Sequence, residues 1–132
     1  MKQLKDILFG VSIEQTYGSI DKQISALAYD SREVVSDTLF VAIKGDAVDG
    51  HAYIEAAIKQ GATVVLVEDE GVYDTSEITY IRVNDTRIAL AVMAANYYDH
   101  PSRKLDLIGI TGTNGKTTIA SLCFELFTIM GY

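Results

Sequence analysis

The chain of 132 residues contains one cysteine, one proline and no tryptophan. A single thiol, Cys123, excludes an intramolecular disulfide, so the fold rests on its core and not on covalent staples. Cys123 lies in a helical pattern, where it reads as a small buried hydrophobe in preference to a nucleophile. Lysine and arginine total 11 against 18 acidic residues, a net charge of −7, and no basic run occurs. Nucleic-acid surfaces need a positive patch to meet phosphate backbones, so no nucleic-acid partner is expected. No apolar run approaches the ~18 residues of a membrane span. Met1–Phe9 interrupts its apolar residues with Lys2, Lys5 and Asp6, unlike a secretion signal. The expectation is a cytoplasmic protein with no membrane partner.

What is present suffices for a real core: 48% of residues are apolar and 22% charged, enough for one domain with part of another. Leu4, Ile7 and Leu8 predict a short amphipathic helix over Lys2–Phe9, closed by Gly10. Ser12–Lys22 is polar and predicts no element. Ile24–Tyr29 alternates like a strand, and Thr38–Ile43 is apolar throughout, as a strand covered on both faces would be. His51–Gln60 reads as a helix stopped by Gly61. Thr63–Val67 and Ile78–Val83 read as strands, with the acidic loop Glu68–Glu77 between them. Asn84 or Asp85 can cap a helix over Thr86–Tyr98 that places Ile88, Ala91, Val92 and Ala95 on one face. Asp99-His100-Pro101-Ser102 breaks that helix and marks a domain boundary. A strand over 105–110 and a helix over 116–130 follow. Alternating strands and helices imply an α/β fold. The sheet is expected to be mixed, because Ile24–Tyr29 and Thr38–Ile43 have no helix between them. The domains expected are 1–98, a linker at 99–104, and the start of a second domain at 105–132.

Two places carry chemistry. In Ile108–Thr118, I-G-I-T-G-T-N-G-K-T-T, an apolar run enters a glycine loop and then a helix, the parts of a phosphate-binding loop. Gly112 and Gly115 let backbone N–H groups turn inward on phosphate oxygens, and the helix start adds its partly positive end. Lys116 can place a charge at the β- and γ-phosphates, and the Thr117 hydroxyl can hold Mg²⁺. The general pattern asks for glycine where this chain has Ile110, so only the inner G-x-x-G-K-T is present. The plainer reading is a glycine turn followed by a surface lysine.

The other place is a pair of polar loops after neighbouring strands, Tyr29-Asp30-Ser31-Arg32 and Gly45-Asp46-Ala47-Val48-Asp49-Gly50-His51. Strand ends are where α/β folds hold ligands. Ser31 offers a hydroxyl and Arg32 a fork suited to phosphate. Two ordinary turns would use the same residues differently. Asp30 and Asp49 would cap backbone, Arg32 would pair with Glu33 or Asp37, and His51 would be exposed at a helix start.

T-G-T-N-G-K-T resembles the ATP loop of the Mur ligase superfamily, which also lacks the outer glycine. Y-D-S-R, L-F-V-A-I-K-G, D-G-H-x-Y-I and G-A, in that order, resemble the N-terminal domain of its muropeptide ligases. Together the match runs from about residue 24 to 131. The resemblance implies a mixed-sheet domain that binds the UDP end of a UDP-N-acetylmuramoyl-peptide, followed by the first strand, P-loop and helix of an ATP domain. By position, Tyr29 and Ser31 would contact the uridine end, and Asp46, Ala47 and Val48 would line the same pocket. Gly112, Thr113, Asn114, Gly115, Lys116, Thr117 and Thr118 would bind ATP, with Lys116 catalytic and Thr117 on Mg²⁺.

The branch implied adds a diamino acid, meso-diaminopimelate or L-lysine, to UDP-N-acetylmuramoyl-L-alanyl-D-glutamate through an acyl phosphate. Thr113 separates it from the D-Ala-D-Ala-adding branch, which commonly has serine there. One strand and one helix cannot make an ATPase, so the chain reads as an N-terminal fragment with no turnover of its own. Ile119, Leu122, Cys123, Leu126, Phe127 and Met130 would then lack cover, and a homo-oligomer through residues 105–130 or a mobile segment is expected. Alternative readings are the D-Ala-D-Ala-adding branch of the same family, a non-catalytic UDP-sugar or nucleotide module, and a phosphotransferase with a separate partner chain.

Overall fold

Five strands build the main sheet of the computed structural model, which describes residues 1–45, 49–71 and 73–132. In chain order the elements are β1 (Lys2–Gln3), α1 (Leu4–Ile7), β2 (Ile13–Tyr17), β3 (Gln23–Ile24), β4 (Ala26–Ala28) and β5 (Thr38–Val41). Next come α2 (Ile54–Gln60), β6 (Ala62–Val67), β7 (Thr79–Val83), α3 (Thr86–Tyr97) and α4 (Lys116–Met130), with 3₁₀ turns at Ser31–Glu33, Gly50–Tyr53 and Pro101–Lys104. The sheet order is β2-β7-β6-β5-β4; β4 to β7 run parallel, and β2 lies antiparallel on β7. The chain divides into two compact units, Met1–Pro101 and Ser102–Tyr132.

In the first unit, strand alternation sends side chains to two cores. Leu39, Val41, Val64, Leu66, Ile81 and Val83 pack with Leu4 and Ile7 of α1 and Ala89 and Met93 of α3. On the other face Phe40, Ala42, Val65, Val67 and Tyr80 pack with Val34 and with Ala57 of α2. Tyr73, from the acidic loop, extends that cover by stacking on Tyr80 with ring centroids 4.4 Å apart. Helices on both faces explain why β5 and β6 read as unbroken apolar runs. Gly61, at φ +119°, ends α2 in the left-handed conformation, and the Asp85 carboxylate accepts from the Ile88 N–H to cap α3.

The sheet is mixed as expected, but for a different reason. β4 and β5 are parallel, although only the 3₁₀ turn Ser31–Glu33 lies between them. That connection turns back through Asp37, at φ +59°, whose carbonyl accepts from the Ser25 N–H at 2.9 Å. The antiparallel member is instead β2, in the polar stretch that predicted no element. It is an edge strand with almost wholly exposed side chains, so its pairing leaves no apolar pattern to read.

Four other expectations are corrected. The N-terminal helix is shorter, because Lys2–Gln3 pair with Gln23–Ile24 as a small antiparallel ladder. That ladder also splits the expected strand Ile24–Tyr29 into β3 and β4. The helix expected from His51 opens as a 3₁₀ turn and becomes α only at Ile54. α3 buries Thr86, Ala89 and Met93, while Ile88 is 67% exposed. The face named from sequence is thus rotated about the helix axis from the one that meets the core.

In the second unit, α4 has the expected bounds and ends at Gly131, at φ +86°. Residues 105–110 form no strand, since a strand exists only within a ladder and no described strand pairs with them. Leu105, Leu107 and Ile108 are exposed. Nothing in α4 is buried, and Cys123 is half-buried, not the core residue expected. Among the described residues no helix is long and apolar enough to cross a membrane.

Candidate functional site

At the carboxyl ends of β4 and β5 the first unit opens into a cleft of about 560 Å³. One wall is Tyr29, Asp30, Ser31 and Arg32; the other is Ile43, Gly45, Gly50 and Tyr53. Two of the residues expected to bind substrate, Tyr29 and Ser31, therefore sit together on one wall. Asp46, Ala47 and Val48 lie outside the described residues. Tyr53 is a wall residue that the sequence reading did not single out; its signal was the D-G-H-x-Y spacing. Tyr29 is 63% and Tyr53 46% exposed, an unusual display of aromatic surface at one opening.

The first wall is set by Asp30. Its carboxylate accepts from the Arg32 N–H at 2.9 Å, starting the 3₁₀ turn, and from Arg32 Nε and Nη2 at 3.0 and 2.5 Å. Arg32 therefore pairs with Asp30, not with Glu33 or Asp37. Its guanidinium stays highly exposed beside the opening. The guanidinium hydrogen bond, seconded by the backbone N–H, holds the Asp30 carboxyl down to about 2. A depressed carboxyl contributes above the unfolded-state value and is lost only as pH falls through about 2. An NMR titration should place the Asp30 midpoint near 2 and move it up toward the ordinary aspartate value in Arg32→Ala. An unchanged midpoint in the variant would contradict the pairing.

The second wall depends on one close approach. A Cβ on Gly50 would lie 2.7 Å from both the N and O of Ile43, so only glycine fits there. The Gly50 N–H donates to the Ile43 carbonyl at 2.8 Å, and Lys44 and Asp49 form an antiparallel bridge across the loop base. His51 is half-buried, not exposed. Its Nδ1 is 2.7 Å from Asp49 Oδ1, and its Nε2 accepts from the Glu68 N–H at 3.1 Å.

The glycine loop belongs to the second unit. Gly112 and Gly115 have φ of +151° and +78°, values that L side chains resist, while a Cβ on Gly115 would meet nothing within 4 Å. Their requirement is conformational, not spatial. Gly115 is the N-cap of α4 and supplies no side-chain cap to the first helical N–H groups. Lys116 Nζ folds back on the carbonyls of Gly112 and Thr113. Thr113, Asn114, Thr117 and Thr118 are all exposed around it.

The fold and the first site define an α/β protein of the kind that takes ligands at the carboxyl ends of parallel strands. The family model described as Mur ligase family, catalytic domain, matches residues 23–98. The chain belongs to the Mur ligase family. It is 42% identical over 131 residues to a Cytophaga hutchinsonii protein named UDP-N-acetylmuramoyl-L-alanyl-D-glutamate–2,6-diaminopimelate ligase, covering 98% of this chain. It covers 27% of that relative, so the chain spans roughly a quarter of the curated relatives it matches.

Among solved structures, it is similar to the UDP-N-acetylmuramoylalanyl-D-glutamyl-2,6-diaminopimelate–D-alanyl-D-alanyl ligase of Acinetobacter baumannii. That likeness has a TM-score of 0.56 and 31% identity, over 88% of this chain and 25% of the other. It is also similar to the MurF ligase of Thermotoga maritima in complex with ADP, with a TM-score of 0.50 and 29% identity, over 70% of this chain and 21% of the other.

Proposed function

We propose that this chain forms part of an ATP-dependent ligase of peptidoglycan synthesis. It would add meso-diaminopimelate or L-lysine to UDP-N-acetylmuramoyl-L-alanyl-D-glutamate. The observation that carries the reading is the cleft of Tyr29, Ser31 and Tyr53 within the family-matched residues 23–98. Its two exposed aromatic rings suit a nucleobase, and Ser31 with Arg32 suits the attached diphosphate. By their place in the sequence, Asp46, Ala47 and Val48 would contribute to binding the same UDP end.

The second unit would bind ATP through residues 112–118. Lys116 would leave the loop carbonyls for the phosphates and stabilise charge on the transferring group. The D-glutamate carboxylate takes the γ-phosphoryl group, releasing ADP. The amine of the diamino acid then attacks the acyl carbon, and inorganic phosphate leaves as the amide forms. The exposed Thr117 hydroxyl is an oxygen donor of the kind Mg²⁺ accepts, and the ion would neutralise phosphate charge when bound. One hydroxyl is only part of a shell, so the rest must come from phosphate, water and residues elsewhere in a full-length ligase.

A ligase of the relatives' full length should release ADP with UDP-N-acetylmuramoyl-L-alanyl-D-glutamate, ATP, Mg²⁺ and a diamino acid. Turnover only with the tripeptide substrate and D-Ala-D-Ala would replace this reading with that of the Acinetobacter neighbour. The higher identity, 42% against 31%, favours the diamino-acid branch. The 132 residues alone are expected to show no turnover. Phosphate release above that of a Lys116→Ala control would contradict this.

A further inference from the structure

We propose that His51 is a positioning residue for the UDP end of the substrate, acting as a neutral imidazole that fastens the cleft's second wall to the end of β6. The inference rests on the substrate reading above and adds a residue that does not line the cleft.

Gly50 and Tyr53 face the opening, and His51 stands between them on the same 3₁₀ turn with its ring turned away. Its two nitrogens tie the start of its own turn to the end of β6. Nε2 accepts from the Glu68 N–H at 3.1 Å, directly after β6, so that nitrogen carries no proton. The proton of the neutral ring must then sit on Nδ1, which donates to Asp49 Oδ1 at 2.7 Å. The same carboxylate oxygen accepts from the His51 N–H at 2.9 Å, which fixes ring and turn together. Apart from this bridge, the described bonds of the wall beyond Ile43 include the Gly50 N–H bond, the Lys44–Asp49 bridge at the loop base, and two exposed contacts: Lys44 with Asp69 at 3.3 Å, and Arg87 with the Lys44 carbonyl at 3.3 Å. Exposed pairs of that kind hold geometry weakly.

Asp49, His51 and Asp69 bring ligand atoms within 4.8 Å of one another, as a cation site would. Their bonding gives them another use. Both ring nitrogens are engaged, and the Lys44 ammonium lies on Asp69. The Glu68 side chain, the other acid nearby, is taken by the N–H and hydroxyl of Thr86 at 2.8 and 2.7 Å.

The test uses the 132-residue chain and UDP-N-acetylmuramoyl-L-alanyl-D-glutamate. His51→Ala should weaken binding about tenfold, the scale of one or two lost hydrogen bonds. His51→Gln can reach the Glu68 N–H with Oε1 and should recover most of the affinity. His51→Asn keeps a donor toward Asp49 but is too short to reach Glu68, and should stay weak. In the wild type, long-range ¹H–¹⁵N spectra should show the Nδ1–H tautomer. A ring in the Nε2–H form, or Gln and Asn variants that bind alike, overturns the proposal even if the Ala variant does not fold. A wild type that binds no such ligand removes the substrate reading itself.

Discussion

Truncating Phe40 to alanine is expected to lower the stability of the Met1–Pro101 unit by about 3–5 kcal/mol. Phe40 is mid-strand in β5 and 1% exposed, with Ala28 and Val65 as its register partners on either side. Four residues of the same core are alanines, Ala28, Ala42, Ala57 and Ala62. Alanines have no side chain to swing into a vacated ring's space, and the parallel ladder prevents the backbone from closing it. Most of the cavity should therefore persist, which puts the cost toward the top of that range. Since a domain of this size has only about 5–15 kcal/mol to lose, the variant should be marginal. The check is the urea midpoint at constant m-value. A loss below about 1 kcal/mol would mean that this core can collapse onto the gap.

Lys116→Ala should leave that midpoint unchanged and remove the chemistry. In a full-length ligase the expected loss is about 10²–10³-fold in turnover, the cost of deleting one preorganised charge at a developing oxyanion. Lys116 is exposed at the start of α4 and bonded only to loop carbonyls, so the fold does not depend on it. Acyl-phosphate formation, read as ADP release, is the step to follow. Activity within about threefold of wild type, well short of that loss, would refute the phosphate role.

What the sequence made legible follows where the physical signal is local. β5 and β6 were visible as apolar runs, because helices or the Tyr73 loop cover both faces of the sheet, and β7 was visible by its alternation. α4 was visible from its glycine start, apolar period and glycine stop. β2 was not, since an exposed edge strand such as Ile13–Tyr17 is defined by partners 63–70 residues away in β7, not by its own residues. Residues 105–110 fail in the opposite sense. Their composition suits a strand, but strand structure is a relation between neighbours, and no described strand lies beside them. The cleft was legible in part. Y-D-S-R and the glycine-bounded loop fell at strand ends, as a general rule of α/β folds places them. Tyr53 and the half-burial of His51 depend on the 3₁₀ turn Gly50–Tyr53, whose tight pitch no periodicity announces. The pairing of Arg32 with Asp30 was missed because a two-residue separation becomes a fork only once the turn has formed.

The substrate cleft is the central claim, and an amide NMR titration of the 132-residue chain with UDP-N-acetylmuramoyl-L-alanyl-D-glutamate tests it most directly. Saturable shifts should appear at Tyr29, Ser31, Gly45, Gly50 and Tyr53. Ser31→Ala should weaken binding by about 0.5–1.5 kcal/mol, the worth of one hydrogen bond. No saturable shift, or shifts that avoid both walls of the cleft, would contradict the account.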